Sequence, residues 1–124
     1  MRIPRLLTLL LLSLGSAGVI AAPAKSEDMK QLAAHAGCLT CHSIEAKAGG
    51  EEPIGPPWAE VARKYHGQKD ALDKLTQTVL QGSNPYQSHW KNKVTGLAMP
   101  PNAVAINEAN TRKLVAWILS LDAK

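Results

Sequence analysis

The chain has 124 residues, enough for one small domain, with 14 basic and 10 acidic side chains and a formal net charge of +4. It contains no arginine-rich run or basic stripe, which argues against nucleic acid as a partner. A chain of this length forms only a thin hydrophobic core by itself.

Residues 1–24 have the pattern of a secretory signal peptide. Two arginines lie within the first five residues, a leucine-rich run follows, and small residues precede two candidate cleavage sites, after Ala21 and after Ala24. An uncleaved membrane anchor fits less well, because the apolar run is short and is interrupted by glycine and serine. We therefore predict a periplasmic protein without a membrane span, comprising residues 25–124. Removal of the two arginines leaves twelve basic and ten acidic side chains, a net charge of +2.

Helical spacing of apolar residues predicts four short helices and no strand. The first begins at Ser26, a favourable N-cap residue, and ends at Gly37. The second follows a stiff Gly-Pro-Pro segment, carries Trp58 and Tyr65 on one face, and ends at Gly67.

Two further helices are predicted in the second half of the chain. Asp70 opens one helix, which Gly82 ends, and Asn107 caps the last helix. Between them, residues 83–106 contain three prolines and one glycine, which predicts a long loop. Loops of this length in small domains are usually functional.

Cys38, Cys41 and His42 form the sequence Cys-Leu-Thr-Cys-His, the pattern of a covalent attachment site for c-type haem. Each thiol can add to one haem vinyl group, and the adjacent imidazole can bind the iron from beneath the ring. The motif occurs once, so we predict one haem, with its iron, per chain. An exported cysteine pair could instead form a disulfide, but a disulfide would leave the adjacent histidine unexplained.

Met99 is the best candidate for the second axial ligand of the iron. Pro100 and Pro101 restrict the backbone directly after it, and a restrained loop can hold a weak thioether on the metal. Met29 lies only nine residues before the cysteine pair and is poorly placed to reach the opposite face. His35, His66 and His89 compete for this position, and His89 is the strongest of the three because it lies in the same loop as Met99. A His/Met pair raises the reduction potential and suits electron transfer.

These segments together resemble a short bacterial class I cytochrome c. The resemblance rests on CLTCHS, IGPPWAEVARKY, QGS, MPPNAV and AWILSL, and it covers roughly residues 28 to 121. It implies an all-α fold of about four short helices around one covalently bound haem, in an electron carrier that is not an enzyme. The expected partners are redox proteins, such as respiratory complexes, reductases or dehydrogenases, and the expected state is a monomer.

The resemblance also implies roles for three residues around the haem. Pro56 corresponds to a proline whose carbonyl accepts a hydrogen bond from the ligand imidazole, although it could also only shape a turn. Asn102 corresponds to an asparagine that hydrogen-bonds near the methionine sulfur, although its side chain could instead only form hydrogen bonds with backbone groups of the loop. Trp90 resembles an indole that donates to a haem propionate.

The chain departs from the family pattern at four places. Two of them are the greater separation of Trp90 from Met99 than in the shortest relatives, which bears on the propionate role, and a longer loop at residues 43–57. Thr78 stands where relatives often have an arginine paired with a propionate, so that interaction is lost or supplied by Lys91 or Lys93. The first helix lacks its usual aromatic residue, so we expect Trp117 to pack over Ala33 and the alanine that follows it.

Three other functions are open at this point. A haem enzyme with a labile distal ligand would bind carbon monoxide when reduced, whereas a stable thioether ligand would prevent this. A dedicated cytochrome subunit would copurify with a larger dehydrogenase. A thiol oxidoreductase would keep both cysteines free and open to alkylation.

Overall fold

The computed structural model describes residues 25–47, 49–87 and 89–122, and the predicted signal peptide lies outside them. Within this part of the chain we find four α-helices, two short 3₁₀ helices and no strand, so the predicted all-α architecture is confirmed. The α-helices are α1 (Ser26–His35), α2 (Trp58–Tyr65), α3 (Ala71–Gln81) and α4 (Glu108–Leu119). The 3₁₀ helices are Cys38–Thr40, within the cysteine motif, and Ser120–Asp122, directly after α4.

Of the four α-helix starts in the described residues, only that of α4 has a capping hydrogen bond from a side chain; Asp70 holds the N-cap position of α3 without one. The side chain of Asn107 accepts a hydrogen bond of 2.9 Å from the N–H of Asn110, as expected for an N-cap. Gly82 ends α3 with a φ of 86°, a conformation that favours glycine. The prediction of Ser26 as N-cap is wrong. Lys25 takes that position, without a capping side chain, and its carbonyl accepts from the N–H of Met29.

The last helix, α4, is the element on which the other three α-helices pack. Its inward face is a stripe of buried side chains at helical spacing: Thr111, Leu114, Val115 and Ile118. Because α1 also contacts α4, the helices nearest the two ends of the described chain lie side by side, as the sequence predicted. Two long loops, residues 41–57 and 82–107, connect the cysteine motif to α2 and α3 to α4.

Trp117 packs against the core cluster that contains Ala33, whose surface is completely buried. It stands edge-on to Trp58, with ring centroids 5.8 Å apart and an interplanar angle of 85°. Ala34 is exposed. The prediction that Trp117 covers both alanines is therefore wrong for Ala34, because the helical rotation of one residue turns that position towards solvent.

Two backbone hydrogen bonds join the loop after the cysteine motif to the loop after α3. The N–H of Thr95 donates to the carbonyl of Pro53 at 2.9 Å, and the N–H of Gly96 donates to that of Ile54 at 3.0 Å. A Cβ atom on Gly96 would lie 2.5 Å from the Ile54 oxygen. The close approach of these two loops therefore requires glycine at this position.

We expect Ala33→Phe to lower the free energy of unfolding by about 1–3 kcal/mol, because added volume in a closed core forces its neighbours from their preferred rotamers. Ala34→Phe is the matched control, since it loses the same helix propensity at an exposed position. Chemical denaturation of both variants measures the difference. Equal destabilisation would contradict the burial of Ala33.

Candidate functional site

A largely apolar cavity of about 250 Å³ lies between the helices and the two long loops. Its back wall is formed by the inward face of α4. All seven residues that the sequence singled out line this one cavity, although they come from distant parts of the chain: Cys38, Cys41, His42, Pro56, Trp90, Met99 and Asn102.

His42 is held in a defined orientation by its neighbours. Its Nδ1 lies 2.8 Å from the carbonyl oxygen of Pro56. Because a carbonyl can only accept, Nδ1 carries the proton, and in the neutral ring Nε2 keeps its lone pair. Burial lowers the pKa of His42, while the hydrogen bond to Pro56 opposes this effect in part. The ring is thus favoured in the neutral tautomer that a metal can bind through Nε2.

Two further neighbours pack against the His42 ring. Trp58 is stacked on it, with centroids 5.8 Å apart and an interplanar angle of 24°. Gly55 lies so close that an added Cβ would be 2.8 Å from Cε1 and 3.0 Å from Nδ1 of the imidazole. Sequence reasoning assigned this glycine only to a stiff approach to the second helix. Its contact with the ring depends on how the loop folds back over the cysteine motif.

The two cysteines lie at one side of the cavity. Cys38 is half-buried and Cys41 is exposed, and the two are not joined in a disulfide. Burial raises the pKa of the Cys38 thiol, with the neighbouring Cys41 adding to this effect and a backbone hydrogen bond opposing it. Catalytic thiols in oxidoreductases have lowered pKa values. This environment therefore weighs against the thiol oxidoreductase interpretation.

Met99 reaches the cavity from a loop whose backbone is anchored to the end of α3. The N–H of Met99 donates to Ser83 Oγ at 2.8 Å, and the carbonyl of Met99 accepts from the Ser83 N–H at 2.9 Å. The side-chain amide of Asn102 donates to the carbonyls of Pro100 at 2.7 Å and Val79 at 3.4 Å. Asn102 thus donates hydrogen bonds to backbone carbonyls around the loop, which is the alternative role that the sequence left open.

The competing axial ligands lie elsewhere in the structure. Met29 is buried in the helical core and does not line the cavity. His89 is exposed and does not line it either; its Nε2 accepts a hydrogen bond of 3.1 Å from Lys93 Nζ. Loss of solvation and the charges of Lys64 and Lys93 lower the pKa of His89. His89 therefore belongs to a surface cluster with Lys93.

Trp90 lines the same cavity and belongs to the loop that carries Met99. Lys93 Nζ lies 5.9 Å from the centroid of its ring, which places a positive charge beside the indole. Thr78 also lines the cavity, but its hydroxyl donates to the carbonyl of Lys74 within its own helix. Lys93, one of the two lysines proposed to supply the interaction with a propionate, therefore lies beside a cavity residue.

The side chains around the cavity fit a covalently attached haem. An imidazole nitrogen, a thioether and two thiols line one apolar space, and these are the donors that haem c requires. Among the described residues, no group of three or more His, Cys, Asp or Glu side chains could hold a bare metal ion. Iron at this site would need its in-plane ligands from a macrocycle, which haem provides.

The chain matches the cytochrome c family model over residues 26–122. It is 39% identical over 111 residues to cytochrome c-551 of Pseudomonas aeruginosa, covering 89% of this chain and 93% of that protein. It is 37% identical over 92 residues to cytochrome c-552 of Hydrogenobacter thermophilus, covering 74% and 80% respectively. The crystal structure of wild-type Nitrosomonas europaea cytochrome c552 is similar in fold, with a TM-score of 0.59, 32% identity, and coverage of 74% of this chain and 98% of that one.

Gly55→Ala should lower the free energy of unfolding by about 1–3 kcal/mol, because the new methyl group would displace the His42 ring from Pro56. Gly50→Ala is the control in the same loop, since its Cβ would lie 3.5 Å from Lys47 Cβ, an ordinary contact. Thermal and chemical unfolding of the two variants measure the difference. An unaffected Gly55→Ala protein would show that the ring is not confined as described.

Proposed function

Because the chain belongs to the cytochrome c family, we propose that it is a periplasmic one-electron carrier with haem attached through Cys38 and Cys41. In this proposal His42 and Met99 are the axial ligands. The chain is an all-α electron carrier with a covalently bound c-type haem, and it is not an enzyme. The earlier alternative of a haem enzyme is accordingly set aside.

The assignment of the individual residues is carried by one observation. A single cavity is lined by His42, whose Nδ1 lies 2.8 Å from the carbonyl oxygen of Pro56, by Met99, and by both thiols. The competing residues His89 and Met29 lie outside that cavity. The donor set therefore supports His/Met ligation in preference to bis-histidine ligation.

When bound, haem supplies an iron that gains or loses one electron without any substrate bond being made or broken. His42 contributes a neutral nitrogen whose direction is held by the Nδ1–H···O bond to Pro56. Met99 contributes a thioether from a loop that is hydrogen-bonded to the end of α3. Because the protein holds both proposed ligands before an electron is transferred, their positions need to change little when the charge of the iron changes.

The exposed apolar side chains beside the cysteine motif support docking of redox partner proteins at this edge. Leu39 is 40% exposed and lies between the two cysteines, while Ile54 and Leu97 line the cavity and are 50% and 87% exposed. A net charge near +2 gives only weak long-range steering, so short-range apolar contact should dominate. The proposed partners are respiratory complexes, reductases or dehydrogenases, one of which could hold the chain as a dedicated subunit. We expect the free protein to be a monomer.

The periplasmic location rests on the signal-peptide pattern of residues 1–24 and on the requirement for reduced thiols outside the cytoplasm during haem attachment. No helix in the described part of the chain is sufficiently long and apolar to cross a bilayer. The proposed mature domain begins after Ala21 or Ala24 and extends through residue 124.

Met99→His should retain the covalent pigment while lowering the reduction potential by on the order of 100 mV, because imidazole donates more strongly to oxidised iron than a thioether does. Met29→Leu is the matched control, since it replaces the buried methionine of α1 outside the cavity. Potentiometric titration of both variants measures the effect. An unchanged potential in Met99→His would exclude Met99 as a ligand.

Protein recovered from the periplasm should begin at Ala22 or Lys25, because small residues precede both cleavage sites. N-terminal sequencing and intact mass of the pigmented fraction measure this directly. Pigmented protein that retains residues 1–24 and sediments with membranes would instead favour an uncleaved anchor.

A further inference from the structure

We propose that Ser83 is a positioning residue, whose hydroxyl holds the backbone of Met99 and thereby keeps external ligands from the distal side of the iron. The inference rests on the proposed function, in which Met99 is the distal ligand. Ser83 is not itself a metal ligand in this proposal. It acts through the peptide unit that carries the thioether.

Ser83 occupies both backbone polar groups of Met99. The Met99 N–H donates to Ser83 Oγ at 2.8 Å, and the Met99 carbonyl accepts from the Ser83 N–H at 2.9 Å. The two residues are 16 positions apart in the sequence. Two bonds running in opposite directions restrain the rotation of the Met99 backbone as well as its position, which a single bond could not do.

The adjacent glycine brings the two segments into contact. Gly82 has a φ of 86°, and a Cβ on it would lie 2.9 Å from the Met99 carbonyl oxygen and 3.1 Å from Pro101 Cδ. The loop therefore lies directly against the carboxyl end of α3. Ser83 is thereby attached to the end of α3, which it follows after the single residue Gly82.

A second contact holds the loop on the other side of Met99. The backbone N–H of Asn102 donates to the carbonyl of Val79 at 3.0 Å, and its side-chain amide lies 3.4 Å from the same oxygen. Asn102 thus restrains the chain after the two prolines, whereas Ser83 restrains Met99 itself. Removal of the Ser83 hydroxyl leaves the Asn102 contact in place and isolates the role of the first contact.

The importance of this contact follows from the weakness of a thioether as a ligand. Met99 is carried by residues 83–106, where the described residues form only turns, bends and irregular structure. This described segment therefore contains no helix, and its attachment depends on hydrogen bonds to other parts of the chain, such as those between Met99 and Ser83. Loss of the hydroxyl removes the acceptor for a half-buried N–H, and one ordinary net hydrogen bond corresponds to about a fivefold change in the open population.

The test is imidazole binding to the oxidised holoprotein, followed by loss of the sulfur-to-iron charge-transfer band. Ser83→Ala should bind imidazole about fivefold more tightly than the unmodified protein. Ser83→Thr keeps the hydroxyl and should return the affinity towards the original value. Ser120→Ala is the matched control, because its exposed hydroxyl donates to Trp117 O within the last helical turn, and it should bind imidazole as the unmodified protein does.

Each other result would overturn the inference. Unchanged imidazole affinity in Ser83→Ala, or an equal change in Ser120→Ala, would remove the specific role of this hydroxyl. A Ser83→Ala protein that yields no holoprotein, while Ser120→Ala does, would assign the hydroxyl to folding instead. If the unmodified protein itself lacked the charge-transfer band, the assignment of Met99 as ligand would fail first, which separates that failure from failure of the Ser83 inference alone.

Discussion

The orientation of the His42 imidazole is the constraint on which the rest of the site depends. The carbonyl of Pro56 accepts a hydrogen bond from Nδ1–H, Trp58 stacks on one face of the ring, and Gly55 allows the backbone to lie against its edge. Burial disfavours the charged ring, so the same neighbours that orient it also keep it neutral. A neutral imidazole with one proton already committed has a single nitrogen left for a metal. The direction of that nitrogen determines which side of the cavity is distal.

Met99, on the side of the cavity proposed to be distal, is held in a different way from His42. The proximal ring is held mainly by contacts to its own atoms, whereas Met99 is held by its backbone, through Ser83 and the end of α3. A flexible thioether can then follow small changes in iron position while its point of attachment stays still. The inward face of α4 lines the same cavity as His42 and Met99. This division suits a carrier, because electron transfer is favoured when both oxidation states use the same arrangement.

What the sequence could predict was local. The Cys-x-x-Cys-His motif, the Met-Pro-Pro segment and the capping residues Asp70 and Asn107 depend on neighbours within a few positions, and they led to the fold family and to α2, α3 and α4. The N-cap of α1 was misassigned by one residue, because Lys25 holds that position without the capping side chain on which the prediction relied. Contacts between residues that are far apart in the sequence could not be predicted. The approach of Gly55 to the imidazole and the pairing of Ser83 with Met99 arise only once the loops have folded over the helices.

A visible spectrum of the exported protein, recorded before and after extraction with acidified acetone, tests the proposed haem site most directly. Thioether bonds to Cys38 and Cys41 predict that the colour stays with the polypeptide, and a Met99 ligand predicts a sulfur-to-iron charge-transfer band in the oxidised form. Colourless protein from cells that carry the maturation machinery, or pigment that passes into the acetone, would contradict covalent attachment at this site.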